Sequence, residues 1–133
     1  MPVFPRLALP SLVLALSACA QQAGTLTLSP GEQARCRTID LKVGQELVLS
    51  LPSNPSTGYR WQVLDAASPQ LSSLGPEVYR NPDDDSLIGA AGLSTWRFRA
   101  SQPGQARLHL EYLQPWDSST PAARRYDCPV RVR

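Results

Sequence analysis

The sequence predicts an all-β protein, an antiparallel sandwich or barrel, and three observations carry that prediction. Apolar residues recur at every second position in five separate stretches, helical periodicity is hard to find after residue 24, and clusters of Gly, Pro and Ser join the stretches. At 133 residues the chain allows one domain.

The N-terminus is set aside first. Arg6 precedes an apolar run from Leu7 to Leu16, interrupted by Pro10 and Ser11 and too short to span a bilayer as a mature helix. The run ends in Leu16-Ser17-Ala18-Cys19, which resembles the bacterial lipoprotein signal. There the peptide is cut just before a cysteine that carries lipid: small residues let a peptidase approach the backbone, and the thiol is acylated. An ordinary secretory peptide with a chance cysteine is the alternative. The expected division is therefore a signal peptide over 1–18, a lipidated Cys19 with a short tether over 19–24, and a folded domain over 25–133. By analogy with lipoprotein sorting, Ala20 after Cys19 points to the outer membrane of a Gram-negative envelope, on its periplasmic side, with lipid holding the domain to a surface it does not cross. Loss of Arg6 with the leader lowers the formal charge from +2 to +1, a balance that predicts no nucleic-acid partner.

Taken in order, Leu26 to Leu28 and Ala34 to Leu41 are short candidate strands. In Gln45 to Leu51, the residues Leu47, Leu49 and Leu51 share a face, and Tyr59, Trp61 and Val63 share one in the next segment. Glu77 to Arg80 is a further candidate. Trp96, Phe98 and Ala100 alternate with Thr95, Arg97 and Arg99, as Ala106, Leu108, Leu110 and Tyr112 do with Arg107, His109 and Glu111. The last strand alternates Tyr126, Cys128, Val130 and Val132 with Asp127, Pro129, Arg131 and Arg133, and Pro129 predicts an edge or a bulge because it cannot donate to a ladder. The outward arginines read as solvated faces that also guard against edge-to-edge pairing. With Cys19 given to lipid, Cys36 and Cys128 remain near the two ends of the domain; in an exported protein a bridge is the expected state, two buried free thiols the alternative.

Catalytic chemistry is scarce. His109, the single histidine, sits in mid-strand, and a serine or cysteine nucleophile has no other ready base. One histidine and two bridged cysteines cannot build a transition-metal site of usual type, and Asp83-Asp84-Asp85 lacks the alternating spacing of a calcium loop. No Gly-rich phosphate loop opens a helix. The chain thus predicts neither an enzyme nor a cofactor.

Three loops have unusual character instead. In Asn54-Pro55-Ser56-Thr57-Gly58-Tyr59, Pro55 fixes its own φ and pushes Asn54 towards extended geometry, while Gly58 is free to take a positive φ. Such a loop is stiff and loses little entropy on contact with a partner. The second loop, Asn81 to Leu93, carries Gly89-Ala90-Ala91-Gly92, whose small residues permit close backbone approach. The third, Leu113-Gln114-Pro115-Trp116-Asp117, sets a tryptophan beside a rigid proline. Trp116 either anchors an interface or folds back to cap the core. All three loops share a pole if an even number of strands separates each from the next, as in immunoglobulin-like sandwiches.

In loop order and spacing these residues resemble the chagasin-type family of cysteine-peptidase inhibitors. Its asparagine-proline-threonine-threonine-glycine-aromatic loop matches Asn54 to Tyr59, its Gly-x-Gly-Gly loop matches Gly89 to Gly92, and its Arg-Pro-Trp loop matches Gln114 to Trp116. The resemblance implies an immunoglobulin-like antiparallel β-sandwich whose three loops enter the cleft of a papain-like peptidase and block it reversibly. It places Thr57 nearest the catalytic cysteine, Pro55, Ser56 and Gly58 around it, Gly89, Ala90, Ala91 and Gly92 along the unprimed side, and Trp116, set by Pro115, on the primed side. Ser56, Ala91 and Gln114 depart from the family pattern, the last two in ways that bear on tight binding. The expected partner is a papain-like cysteine peptidase, met by a monomer. The competing reading is an envelope lipoprotein that uses the same loops to hold a protein or peptide without inhibiting.

Overall fold

The computed structural model describes residues 2–3, 5, 23–30, 36–81 and 91–133. Cys19, the rest of the leader, the Asp83 to Asp85 run, Gly89 and Ala90 lie outside the described residues. Among the described residues nine strands follow in order: β1 Thr25–Leu28, β2 Ile39–Leu41, β3 Glu46–Ser53, β4 Arg60–Ala66, β5 Leu71–Ser73, β6 Val78–Arg80, β7 Gly92–Ala100, β8 Gly104–Leu113 and β9 Arg124–Val132. They form two sheets, one ordered β1-β3-β7-β5 with β6 also on β7, the other β2-β9-β8-β4. The fold is an all-β sandwich, one of the two arrangements that the alternation predicts; its pairing is antiparallel except for β1 on β3 and β2 on β9, which run parallel, so the expectation of a purely antiparallel sandwich holds only in part.

Register explains why the alternation works. Leu47 lies opposite Phe98, Leu49 opposite Trp96 and Leu51 opposite Ser94, so one face of the β3–β7 pair is uniformly buried. Leu108 and Leu110 pair with Cys128 and Tyr126 in the facing sheet. A one-residue slip would turn each of these sets to solvent, which fixes the register strongly. Full burial of each such leucine contributes about 1.5–3 kcal/mol. The outward residues pair across strands instead: Arg97 and Arg99 each lie 3.3 Å from Glu46, and Arg107 2.8 Å from Asp127. These exposed pairs are worth at most about 1 kcal/mol each.

Two strands depart from simple alternation. β4 slips register between Val63 and Asp65, and at this sheet edge Val63 is 40% and Leu64 54% exposed. Such a bulge bends an edge strand and blunts its pairing surface. Pro129 lies one residue before the β2 ladder begins at Ile39 and Val130, where β9 passes from one-sided to two-sided pairing. That agrees with its reading as an edge residue.

Cys36 and Cys128 form a disulfide with a Cα–Cα distance of 5.3 Å and a sequence separation of 92 residues. It ties the segment entering β2 to the middle of β9.

The sandwich has two distinct poles. At one, here called the tip, β3 ends, β7 begins, β8 ends and β4 begins, since Ser53 pairs with Gly92 and Arg60 with Leu113. At the other, the base, the N–H groups of Val43 and Gly44 donate to the carbonyls of Arg133 and Ala100 at 2.9 and 2.7 Å. The chain enters at the base as well, because Thr25 pairs with Glu46 at the start of β3.

Candidate functional site

The first loop is rigid because its sequence allows little else. Pro55 opens a 3-10 turn over Pro55–Thr57, Asn54 sits at φ −128° as a residue before proline must, and Gly58 closes the turn at φ 82°. Thr57 donates twice to the Asn54 carbonyl, from its N–H at 3.2 Å and its hydroxyl at 2.7 Å. Ser56 Oγ donates to Asn54 Oδ1 at 2.6 Å, so the hydroxyl that stands for a threonine is used within the loop.

Beneath the loop stands an aromatic column. Tyr59 lies 5.2 Å from Tyr112, Tyr112 4.9 Å from Trp61, and Trp61 meets Trp96 edge-on at 6.4 Å between ring centroids. These spacings are within the favourable range for aromatic pairs. Hydrogen bonds tie the loop to the column: the Asn54 N–H donates to the Tyr112 hydroxyl at 2.9 Å, and Trp61 Nε1 donates to the Pro52 carbonyl at 3.0 Å. Arg60 adds a clamp that the turn motif does not announce. Its Nη1 donates to the carbonyls of both Pro55 and Tyr59 at 2.8 Å, spanning the loop from start to end.

The third loop leans on the first. Trp116 lies over Gly58, where an added Cβ would overlap the indole, two of whose carbons would stand 3.1 Å away. Glycine is thus required at 58 twice, for its φ and for the ring above it. Gln114 Nε2 donates to the Thr57 carbonyl at 3.3 Å. Trp116 is nevertheless 70% exposed, so it does not cap the core. Its loop is held by Asp117, whose Oδ1 accepts from Ser119 N–H, Ser119 Oγ and Thr120 N–H at 3.0, 2.9 and 3.2 Å. These bonds, with the Thr120 hydroxyl the largest influence and the Ser119 hydroxyl next, hold the exposed carboxyl down at about 2.

The second loop reaches the same pole through its C-terminal end. Ala91 is exposed beside the start of β7. Gly92 belongs to that strand, is buried, and pairs with Ser53 immediately before the first loop. Its missing side chain makes room for the Arg80 carbonyl and the Tyr79 ring of β6, not for a partner's surface. Three strands, β4, β5 and β6, separate the first loop from the second, an odd number. The loops still share a pole because β5 and β6 both pair antiparallel with β7, at its two ends, as halves of one interrupted pass.

His109 stands apart. It lies mid-strand on β8, with Nε2 3.4 Å from Glu111 Oε1 on the sheet's outer face. Among the described residues no group of three or more His, Cys, Asp or Glu is placed to hold a metal.

With this geometry in hand, the likeness to known proteins is informative. The sequence profile of the family described as "Chagasin family peptidase inhibitor I42" matches residues 40–130. Chagasin of Trypanosoma cruzi is 30% identical over 91 residues, covering 67% of this chain and 83% of that protein. Among solved structures, the cysteine protease inhibitor EhICP2 from Entamoeba histolytica superposes with a TM-score of 0.69 at 18% identity, covering 84% of this chain and 97% of its own. PbICP-C, solved in complex with falcipain-2, superposes with a TM-score of 0.53 at 21% identity, covering 84% of this chain and all of its own. The chain belongs to the chagasin family, a family of peptidase inhibitors and not of enzymes.

Proposed function

We propose that this chain inhibits papain-like cysteine peptidases by inserting its tip into the active-site cleft as one preformed wedge. The observation that carries the reading is the mutual bracing of two loops: Trp116 over Gly58, Gln114 on the Thr57 carbonyl, and an indole left largely in solvent. A surface that holds an exposed tryptophan in one place is poised for burial by a partner, because little freedom remains to be lost. Family membership and the complex of PbICP-C with falcipain-2 support the class of target.

Within the wedge, Thr57 lies nearest the catalytic cysteine, with Pro55, Ser56 and Gly58 shaping the approach. The second loop, up to the exposed Ala91, is assigned to the unprimed side, and Trp116, set by Pro115, covers the primed side. A turn closed on itself by Asn54, Thr57 and Arg60 presents no extended strand to the nucleophile. Inhibition is therefore occlusion, reversible and without chemistry on the inhibitor. Titration of papain with residues 20–133, which retain every strand, tests this. Saturable inhibition, competitive with a peptide substrate, is expected, and undiminished activity at micromolar inhibitor would refute it.

The leader supports a further placement, in which residues 1–18 are removed, Cys19 carries lipid, and a monomer hangs from the periplasmic side of the envelope at the outer membrane. The supporting feature is the Leu16-Ser17-Ala18-Cys19 stretch with Ala20 behind it. Mass spectrometry of the chain extracted from a Gram-negative host would find an acylated Cys19 as the N-terminal residue. An unmodified thiol there contradicts the placement.

A further inference from the structure

We infer that the base of the sandwich faces the membrane and that the tip points away from it, so that the anchored chain presents its wedge to soluble partners. This rests on lipidation at Cys19, as proposed above.

Two contacts made by residues 23 and 24 decide the matter. The Gly24 carbonyl accepts from the Glu46 N–H at 3.2 Å, and Ala23 packs beside Gly44, with 3.6 Å between its Cβ and the position a Gly44 Cβ would take. Both contacts are at the base, next to the turn over residues 42–45. β1 then runs parallel to β3, away from the base. Only three residues lie between Cys19 and Ala23, so the four steps of chain reach about 14 Å at most. The eight residues of β3 that rise from base to tip span about 25 Å. Pointing the tip at the bilayer would lift Ala23 at least that far from the surface, beyond the reach of its own tether. Tip-outward orientations need no such length.

The base suits a headgroup layer. Lys42 is exposed, the neighbouring Val43 is 48% exposed, and the C-terminal Arg133 is held against Leu41 and Val43 by backbone bonds of 2.9 Å. A lysine with an apolar neighbour rests at such an interface with its charge in the headgroups. The surface assigned is therefore the base turn, and its partner is a lipid surface.

Trp116 reports on this geometry without reference to inhibition, since Trp61 and Trp96 are buried and Trp116 is exposed at the tip. The chain from Cys19 onward, coupled through that thiol to a maleimide lipid in phosphatidylcholine vesicles, should keep its Trp116 fluorescence when headgroup-nitroxide lipid is added. A Cys19→Ser, Ser118→Cys variant, lipidated beside Trp116, should be strongly quenched in the same vesicles. Papain should be inhibited by the Cys19-anchored form within about three-fold of the free domain. Quenching of Trp116 in the Cys19-anchored form as deep as in the Ser118→Cys form would overturn the orientation. Loss of inhibition on anchoring, with the free domain active, would overturn it too. A free domain that fails to inhibit papain would sink the functional reading alone and leave the quenching result standing.

Discussion

Residue 116 shows how a side chain is held in place by its own neighbours before any partner arrives. Trp116 lies over a glycine whose backbone is left-handed, and Gln114, two residues before it, ties its loop to the Thr57 carbonyl of the first loop. Trp116→Ala should therefore weaken papain inhibition by about 2 kcal/mol or more, roughly thirty-fold, while leaving thermal stability within about 0.5 kcal/mol. The inhibition constant and a melting curve, measured together, check both halves. An unchanged inhibition constant would put the indole at the rim. Gln114, where the family pattern has arginine, is engaged inward with the Thr57 carbonyl, while a guanidinium stands at the same pole on Arg60.

At the scale of elements, the third loop is built on a carboxylate. Asp117 has its pKa lowered from 3.8 to about 2 by hydrogen bonds from Thr120 and Ser119, so those bonds favour the charged form. A depressed carboxylate contributes stability that is present above its unfolded value near 4 and is lost as pH falls through 2. The loop should hold Trp116 in place at pH 5 and release it between about pH 4 and 2, ahead of the sandwich itself. Trp116 fluorescence and the Ser119 and Thr120 amide resonances should follow this step, and Asp117→Ala should abolish it.

The same scale separates what the sequence made readable from what it did not. The stiffness of Asn54 to Gly58 was readable because proline and glycine act through their own dihedrals. The inward sets on β3, β7, β8 and β9 were readable because the pleat has a period of two. The Arg60 clamp was hidden, since a guanidinium that bonds backbone carbonyls leaves no spacing signature, and alternation alone reads Arg60 as a solvated outward residue. The role of Gly92 was hidden for a related reason. Its small size serves β6, a neighbour fixed only once β5 and β6 have divided one pass along β7. The shared pole was readable as a condition on strand number; the interrupted pass satisfies it with an odd count.

For the molecule as a whole, the disulfide and the two poles set the mechanics. Joining residues 92 apart, the Cys36–Cys128 bridge closes nearly the whole domain, and on a chain-entropy account it contributes about 4–5 kcal/mol. Cys36→Ser should lower unfolding free energy by up to that amount in urea titrations, and wild type should become equally sensitive once a reductant is added. Because Cys128 lies mid-strand on β9 and the tip is assembled from other segments, any variant that stays folded should keep its inhibition constant at 25 °C.

The central claim is that recognition belongs to one pole, acting as a single rigid unit. Amide chemical-shift mapping of the isotope-labelled domain titrated with papain tests this most directly. The account predicts large shifts confined to residues 54–60, 91–93 and 113–120, with the turns over 42–45 and 101–104 unmoved. Shifts centred on the base turns or on an outer sheet face, with Thr57 and Trp116 unaffected, would contradict it.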